Sequence, residues 1–183
     1  MARLDWQAVV AGVGGQGVLF VTRVLAQAAL RRGGRVIISE VHGMAQRGGP
    51  VVSHLKAGAH AGPLVNLGRA GLLFALDPGE AVRNLAFLAP GGELVVNAPD
   101  EGWLSPQGRR ELKRQGIRLT LCDATAAAGA AGNLRGANVV LMAAAATAGA
   151  LPFDAAELRG VLMDMTPPAR RESNRRLFAA GAG

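Results

Sequence analysis

Cysteine and aromatic residues are scarce in this 183-residue sequence, and their scarcity excludes several kinds of protein. The single cysteine, Cys122, cannot form an internal disulfide, and an iron–sulfur cluster asks for about four thiolates. There is no tyrosine and aromatic residues make up only 4% of the chain, which argues against the base-stacking surface of a nucleic-acid binder. Apolar runs are broken by Gly, Arg or Asn before the roughly 18 residues that a membrane-spanning helix needs.

Acidic residues are outnumbered by basic ones, 13 to 20, and 18 of the 20 basic residues are arginine. The formal net charge is +7, and guanidinium groups suit planar anions such as carboxylates and phosphates. One cluster near the C-terminus is formed by Arg170, Arg171, Arg175 and Arg176. Such a cluster is typical of a solvated helix face that complements the helix dipole, or of a docking surface for an acidic partner.

Half of the residues are hydrophobic, which indicates a folded globular chain. The length suits a single domain over residues 1–183 that needs neither disulfide nor metal to hold its core. Because the segment around Asp5 shows no secretion-type leader, we expect a cytoplasmic protein.

Short β-like runs alternate with helical runs along the chain. This alternation predicts an α/β domain: a single Rossmann-like, doubly wound, mostly parallel sheet with flanking helices. The predicted strands are 6–13, 35–39, 51–56, 71–76, 93–97 and 117–121. The predicted helices are 15–32, 78–88, 106–115, a short helix capped by Asp123, 138–148, a helix over 155–163 capped by Asp154, and a last one that carries the arginine cluster.

The sequence predicts the burial or exposure of three segments. The alternation over 51–56 is typical of a half-buried strand. The helix over 138–148 is apolar nearly all round, so it is expected to be buried inside the fold or against another chain. Apolar residues at Leu64, Val65 and Leu67 look exposed and would suit an interface with a partner chain.

A glycine-rich turn joins the first predicted strand to the first predicted helix. Its members are Gly12, Gly14, Gly15, Gln16 and Gly17. The G-x-G-x-x-G spacing permits a tight turn and a close approach of a phosphate to a helix N-terminus. Because Glu40 follows where a ribose-binding acid would stand, the pattern allows a free-standing NAD- or FAD-binding protein. Alternatively, the glycines only shape the turn.

The loop after the second strand, Glu40 to Pro50, is the most informative segment. Its polar side chains are His42, Gln46 and Arg47. Loops at the carboxyl ends of strands line the ligand crevice of an open α/β sheet, so we expect these side chains to lie near the glycine-rich turn. His42 could exchange a proton near neutrality and Arg47 could clamp a carboxylate or phosphate, or the loop could only satisfy its own backbone.

Five segments together resemble one family. They are GVGGQGVLFVTRVLAQAAL, SEVHGMAQRGGPVVSHLKAG, LVNLGRAGLLFALDPGEAVRNLAFLAPGGELVVNAP, GANVVLMAAAATAGALPFDAAELRGVL and ESNRRLFAAG. They are similar to the small (beta) subunit of indolepyruvate:ferredoxin oxidoreductases, within the gamma-subunit family of 2-oxoacid:ferredoxin oxidoreductases. The HGMAQRGG loop is the most specific part, and it favours the arylpyruvate type.

The resemblance implies an accessory subunit of an oxidoreductase that acts on the oxo group of its donor, with an iron–sulfur protein as acceptor. The complex would use thiamine diphosphate with Mg, 4Fe–4S clusters and coenzyme A, held by a larger alpha subunit, and would reduce ferredoxin. The sequence agrees, because it has no Gly-Asp-Gly stretch and one cysteine. The isolated chain is expected to be inactive.

Within such a complex, His42, Gln46 and Arg47 would face the 2-oxo acid or coenzyme A, with Arg47 the first choice for an anion contact. We assign no catalytic residue and no metal site, and we expect no nucleic acid or membrane partner. Two alternatives stay open: a free-standing NAD- or FAD-binding Rossmann protein, and a gamma subunit for pyruvate or ketoisovalerate.

Overall fold

The computed structural model describes residues 4–42 and 48–183, except for the side chain of His42. Within these ranges the strands are β1 (Trp6–Val13), β2 (Val36–His42), β3 (Pro50–Ala57), β4 (Ala70–Ala75), β5 (Leu88–Asn97) and β6 (Arg118–Cys122). The helices are α1 (Val18–Arg31), α2 (Pro78–Asn84), α3 (Pro106–Arg114), α4 (Ala124–Ala130), α5 (Ala137–Thr147), α6 (Ala155–Met165) and α7 (Arg171–Ala182). Short 3-10 turns span Leu85–Phe87, Leu134–Gly136 and Pro168–Arg170.

The six strands form one sheet in the order β2-β3-β1-β4-β5-β6. β1, β4, β5 and β6 are parallel to one another, whereas β3 is antiparallel to both of its neighbours, β2 and β1. The predicted α/β fold with a mostly parallel sheet is therefore confirmed. β3 is the exception, and it separates β2 from β1.

Helices cover both faces of the sheet, as expected for a doubly wound fold. The larger core lies under α1, α4, α5, α6 and α7. The smaller core lies under α2 and α3. Eight of the eleven residues of α5 are buried within the larger core, so the all-round apolar pattern of this helix is explained inside the fold.

The predicted starts of α4 and α6 are confirmed, and at each of them a polar side chain caps the helix. Asp123 accepts a hydrogen bond from the backbone N–H of Ala126, and Asp154 accepts one from Glu157, as predicted. The first helix was predicted from residue 15 but begins at Val18, because positive φ angles at Gly15 (101°) and Gly17 (87°) keep the preceding segment in a turn.

The expectation of a half-buried strand over 51–56 is wrong. Residues 53–56 are all buried, because β3 lies inside the sheet and is covered on both faces. On the face away from α1, the backbone N–H of Val65 donates to His54 Nδ1 (3.3 Å), and Lys56 Nζ donates to the carbonyl of Ala61 (3.2 Å). The segment over 58–69 therefore packs against β3.

This packing also corrects one interface expectation. Val65 is 2% exposed and belongs to the smaller core, so it cannot face a partner. Leu64 and Leu67 are exposed, at 47% and 67%, as expected. None of the helices in the described ranges is long and apolar enough to cross a membrane.

The arginine cluster lies at the N-terminal end of α7, whereas the helix dipole favours cations at the C-terminal end. Arg170 precedes α7, and Arg171, Arg175 and Arg176 occupy its first half. Cations are stabilised near the last turn of a helix, so the dipole explanation is wrong. Arg175 and Arg176 instead lie near Glu172 on the exposed face of α7.

Candidate functional site

The parallel strands β1, β4, β5 and β6 end at one edge of the sheet, called here the carboxyl edge. From this edge the chain continues after β1 into α1 on the larger-core face, and after β4 into α2 on the other face. A crevice between strands whose connections diverge in this way is the usual ligand site of an open α/β sheet. The candidate site is therefore the crevice beside β1 and β4.

The glycine turn, residues 12–17, borders this crevice. Gly12 is the second-last residue of β1, and Gln16 folds back so that its Oε1 accepts a hydrogen bond from the N–H of Val13 (2.7 Å). Gly17 is the N-cap of α1 and provides no side-chain cap. The first backbone N–H groups of α1 are thus left without a side-chain acceptor at the crevice.

A side chain from a distant helix holds the turn in place. Asn138, in the first turn of α5, donates from Nδ2 to the carbonyl of Gln16 (3.1 Å) and is 9% exposed. A Cβ on Gly17 would overlap this same amide group. Glycine at position 17 is therefore needed both for its positive φ and for the close approach of α5.

The predicted ligand loop ends beside the turn and begins at the same edge of the sheet, on β2, with β3 in between. His42, the last residue of β2, is opposite Val51 of β3, and Pro50 is opposite Val13 of β1. The N–H of Gly14 donates to the carbonyl of Gly49 (2.9 Å). Gln46 and Arg47 lie outside the described residues, so their approach to the turn stays a prediction.

One cleft of about 290 Å³ opens between the turn and the helices α4 and α5, with Gln16 and Arg135 in its wall. Asn97 at the end of β5 braces this cleft, because its Nδ2 donates to Thr125 Oγ1 (2.9 Å) and to the carbonyl of Leu76 (3.2 Å). Arg135 is exposed and has no ion-pair partner among the described residues.

A second cleft of about 430 Å³ lies on the other side of Arg135. It is lined by Arg170, Asn138 and Asn174, and no acidic side chain lines it in the part of the chain that the structure describes. Arg135 therefore lines two adjoining clefts and contributes a positive charge to both.

Arg135 and Asn138 were not predicted as site residues, because they lie more than 100 residues from the glycine turn. The only signal was Asn138 itself, a polar residue at the start of an otherwise apolar helix.

The described thiol and carboxylate groups do not form a metal or cluster site. Across residues 4–42 and 48–183, no three His, Cys, Asp or Glu side chains are grouped so that they could hold a metal ion. Cys122 ends β6, where burial and the neighbouring Asp123 raise the pKa of its thiol. One protonated thiol does not fit an iron–sulfur cluster, which asks for about four thiolates.

The position of Glu40 argues against a nicotinamide site. A ribose-binding acid follows a strand adjacent to the glycine-bearing strand. Here β3 intervenes: Glu40 is opposite Ser53, and Ser53 is opposite Val10. Glu40 is thus two strand spacings, about 10 Å, from β1 instead of about 5 Å. The free-standing NAD- or FAD-binding alternative is therefore disfavoured.

Comparison with known proteins agrees with this geometry. The chain belongs to the pyruvate ferredoxin/flavodoxin oxidoreductase family, whose sequence pattern matches residues 7–183. It is 32% identical over 190 residues to the indolepyruvate oxidoreductase subunit IorB of Thermococcus kodakarensis, an alignment that covers 97% of this chain and 94% of the relative. The resemblance derived from the sequence is thereby confirmed.

Two solved structures share the fold. One is the gamma subunit of a keto/oxoacid ferredoxin oxidoreductase from Geobacter sulfurreducens, with a TM-score of 0.72, 24% identity, and coverage of 97% of this chain and 96% of that one. The other is a 2-oxoglutarate:ferredoxin oxidoreductase from Magnetococcus marinus with 2-oxoglutarate, coenzyme A and succinyl-CoA bound. Its TM-score is 0.76 at 19% identity, and this chain is covered over 98% but spans only 30% of that longer chain.

Proposed function

We propose that this chain is the small subunit of a cytoplasmic 2-oxoacid:ferredoxin oxidoreductase that oxidises indolepyruvate or a related arylpyruvate. The observation that carries the proposal is the nearly full-length match to an indolepyruvate oxidoreductase subunit. The fold supports it, because the glycine turn and both ends of the HGMAQRGG loop meet at the carboxyl edge.

A larger subunit would hold the groups that carry the chemistry. Thiamine diphosphate with Mg would support decarboxylation of the oxo acid, and 4Fe–4S clusters would pass the electrons to ferredoxin. The residues of this chain fit neither group, since it has one cysteine and no Gly-Asp-Gly stretch. Its contribution would be to bind and orient the anionic ends of the substrates and to exclude water from the shared cleft.

Two arginines are the candidates for that anion contact. The sequence predicts Arg47, in the loop, as the anion contact. Arg135 is a second candidate, because it borders both clefts and has no carboxylate partner in the described ranges. The Magnetococcus structure holds coenzyme A and 2-oxoglutarate, which supports a phosphate of coenzyme A or the oxo-acid carboxylate as the group contacted. His42 and Gln46 would be supporting polar groups.

The first test is purification of the tagged chain from its own host without oxygen. A brown complex with a larger subunit, broad absorbance near about 400 nm from the clusters and bound thiamine diphosphate is expected. A colourless chain that elutes alone and binds NADH tightly would overturn the proposal and restore the nucleotide-binding alternative.

The second test separates the anion contacts by steady-state kinetics of the assembled complex. Arg47→Ala and Arg135→Ala should each raise the KM for coenzyme A or for the oxo acid about tenfold, as expected for a lost charged hydrogen bond. Arg69→Ala is the matched control, because Arg69 is exposed and unpaired within the described ranges and precedes β4 at the opposite edge of the sheet. Unchanged KM values and turnover in both variants would remove these residues from the site.

A gamma subunit for another 2-oxo acid is the second candidate. Its support is that the matched family is described for pyruvate, and that one solved structure with this fold holds 2-oxoglutarate. Comparison of kcat/KM for indolepyruvate, pyruvate and ketoisovalerate on the purified complex decides between the two. A preference for pyruvate would overturn the arylpyruvate assignment and leave the subunit role intact.

A further inference from the structure

A groove that shares no lining residue with the two clefts at the glycine turn runs between α6 and α7. It has a volume of about 700 Å³ and is called here the α6–α7 groove. Phe178, which is 3% exposed, forms its floor, and the walls present Ala156, Ala179 and Ala182, all exposed. Since alanine projects only a methyl group, another helix could approach these walls closely.

The rim of the α6–α7 groove carries an excess of positive charge. Its side chains supply three guanidinium groups and one carboxylate, that of Glu172. Arg175 lies 2.8 Å and Arg176 3.8 Å from this carboxylate, so the two share it. Arg159 has no ion-pair partner in the described part of the chain. The side chains of the rim thus have a formal charge of +2.

The acidic residues of α6 do not neutralise this rim, because each is engaged elsewhere. Glu157 pairs with Arg32 (2.6 Å) and Asp164 with Arg31 (2.6 Å), both across the contact with α1. Asp154 caps α6 itself. The surface around the groove therefore combines an apolar floor with uncompensated arginines, which is the composition of a binding interface.

We infer that the α6–α7 groove receives an acidic amphipathic helix of the larger subunit, an inference that rests on the proposed function. A groove between two helices can take up the apolar face of a third, amphipathic helix. The apolar face of that helix would contact Phe178 and the alanines, and its carboxylates would pair with Arg159 and Arg176. The second half of the arginine cluster, Arg175 and Arg176, is thereby assigned to docking on an acidic partner.

Other occupants fit the groove less well. A second copy of this chain would bring the same positive rim against itself, which costs binding energy. A nucleic acid would need stacking groups, and the groove offers one buried phenylalanine. A small-molecule site is concave and buries most of its ligand, whereas this groove is open and its polar groups lie on the rim.

The test measures the affinity of this chain for the larger subunit by oxygen-free titration. Arg159→Glu with Arg176→Glu should weaken binding at least about tenfold, and should also reduce the dependence of binding on salt. The matched control is Arg110→Glu with Lys113→Glu, which makes the same charge change at two exposed and, within the described ranges, unpaired positions of α3. The control pair should bind within about twofold of wild type.

A second variant blocks the groove without changing its charge. Ala156→Trp with Ala179→Trp should also weaken binding at least about tenfold, while circular dichroism shows a folded chain. If both groove variants bind the larger subunit as tightly as wild type, the inference is wrong. Loss of self-association in place of larger-subunit binding would equally overturn it.

These outcomes are distinct from failure of the proposed function. If the wild-type chain binds the larger subunit and restores turnover while the groove variants do the same, only the groove inference fails. If the wild-type chain does not bind the larger subunit at all, the proposed function fails first.

Discussion

The helices of this protein begin in two different ways. α2, α3, α4 and α6 begin at Asp77, Ser105, Asp123 and Asp154, each of which accepts a hydrogen bond from a backbone N–H two or three residues ahead. α1, α5 and α7 begin without a side-chain cap. The start of α1 is held instead by Asn138, 122 residues from its partner Gln16.

The difference separates local from long-range control of structure. A capping side chain accepts a hydrogen bond from an otherwise unpaired N–H within its own turn. It therefore fixes the start of a helix independently of what the helix packs against. The contact between α1 and α5 exists only after the sheet and both helices have assembled. Because Gly17 provides no side-chain cap, the first N–H groups of α1 have no side-chain acceptor. They lie beside the cleft to which the function is proposed.

The largest expected effect comes from disrupting the start of α1, which the long-range contact with Asn138 holds in place. Gly17→Ala forces a side chain into a positive φ and into the amide of Asn138, so we expect a loss of about 3 kcal/mol in unfolding free energy. Urea denaturation measures it. Gly15→Ala is the matched control, because it shares the positive φ but would meet no atom within 4 Å, and should cost about 1 kcal/mol.

A double-mutant cycle shows whether Asn138 is the cause. Asn138→Ala alone should cost about 1 to 2 kcal/mol, because the carbonyl of Gln16 loses its donor. In the Gly17→Ala background the same change should cost less, since it also removes the overlap. Equal costs of Gly17→Ala and Gly15→Ala, or simple additivity in the cycle, would mean that backbone strain alone fixes the turn.

The same contrast explains how much the sequence could predict. The caps at Asp123 and Asp154 were predicted correctly because each acts within three residues of itself. The first helix was placed three residues too early, because its start was taken from the glycine motif and not from the apolar spacing, which begins at Val18. The positive φ angles of Gly15 and Gly17 keep residues 15–17 in a turn.

Strand order and the full site could not be predicted, because they depend on contacts between distant segments. The alternation over 51–56 predicts a strand but not that β3 inserts between β2 and β1, which moves Glu40 away from the turn. The glycine turn was found from its motif. Arg135 and Asn138 were missed because nothing in their own neighbourhood marks them as neighbours of residue 16.

Removing local caps should have an intermediate effect. Asp154→Ala and Asp123→Ala should each lower the unfolding free energy by about 1 kcal/mol. The double variant should lose about 2 kcal/mol, since distant sites add. Asp154→Asn keeps an acceptor oxygen and should stay within about 0.5 kcal/mol of wild type. If Asp154→Asn were as unstable as Asp154→Ala, the charge and not the cap would be the stabilising feature.

The smallest expected effect concerns a loop that is also held by a distant side chain. His54 Nδ1 accepts the N–H of Val65, and its ring packs edge-to-face on Phe87 at 5.2 Å. Burial, and then the positive charge of Lys56, lower the pKa of His54 below its usual value. The unfolded chain therefore takes up a proton at this imidazole at a higher pH than the folded chain does.

Stability should consequently fall as the pH drops below about 6.5, the usual pKa of histidine, with a slope of at most about 1.4 kcal/mol per pH unit. Thermal melts of wild type and His54→Gln between about pH 8 and 5 measure this, and the variant should have the flatter profile. Lys56→Met should reduce the slope without abolishing it, because burial is the larger cause of the lowered pKa. A slope that persists unchanged in His54→Gln would assign the acid sensitivity to other groups and leave Val65 held by packing alone.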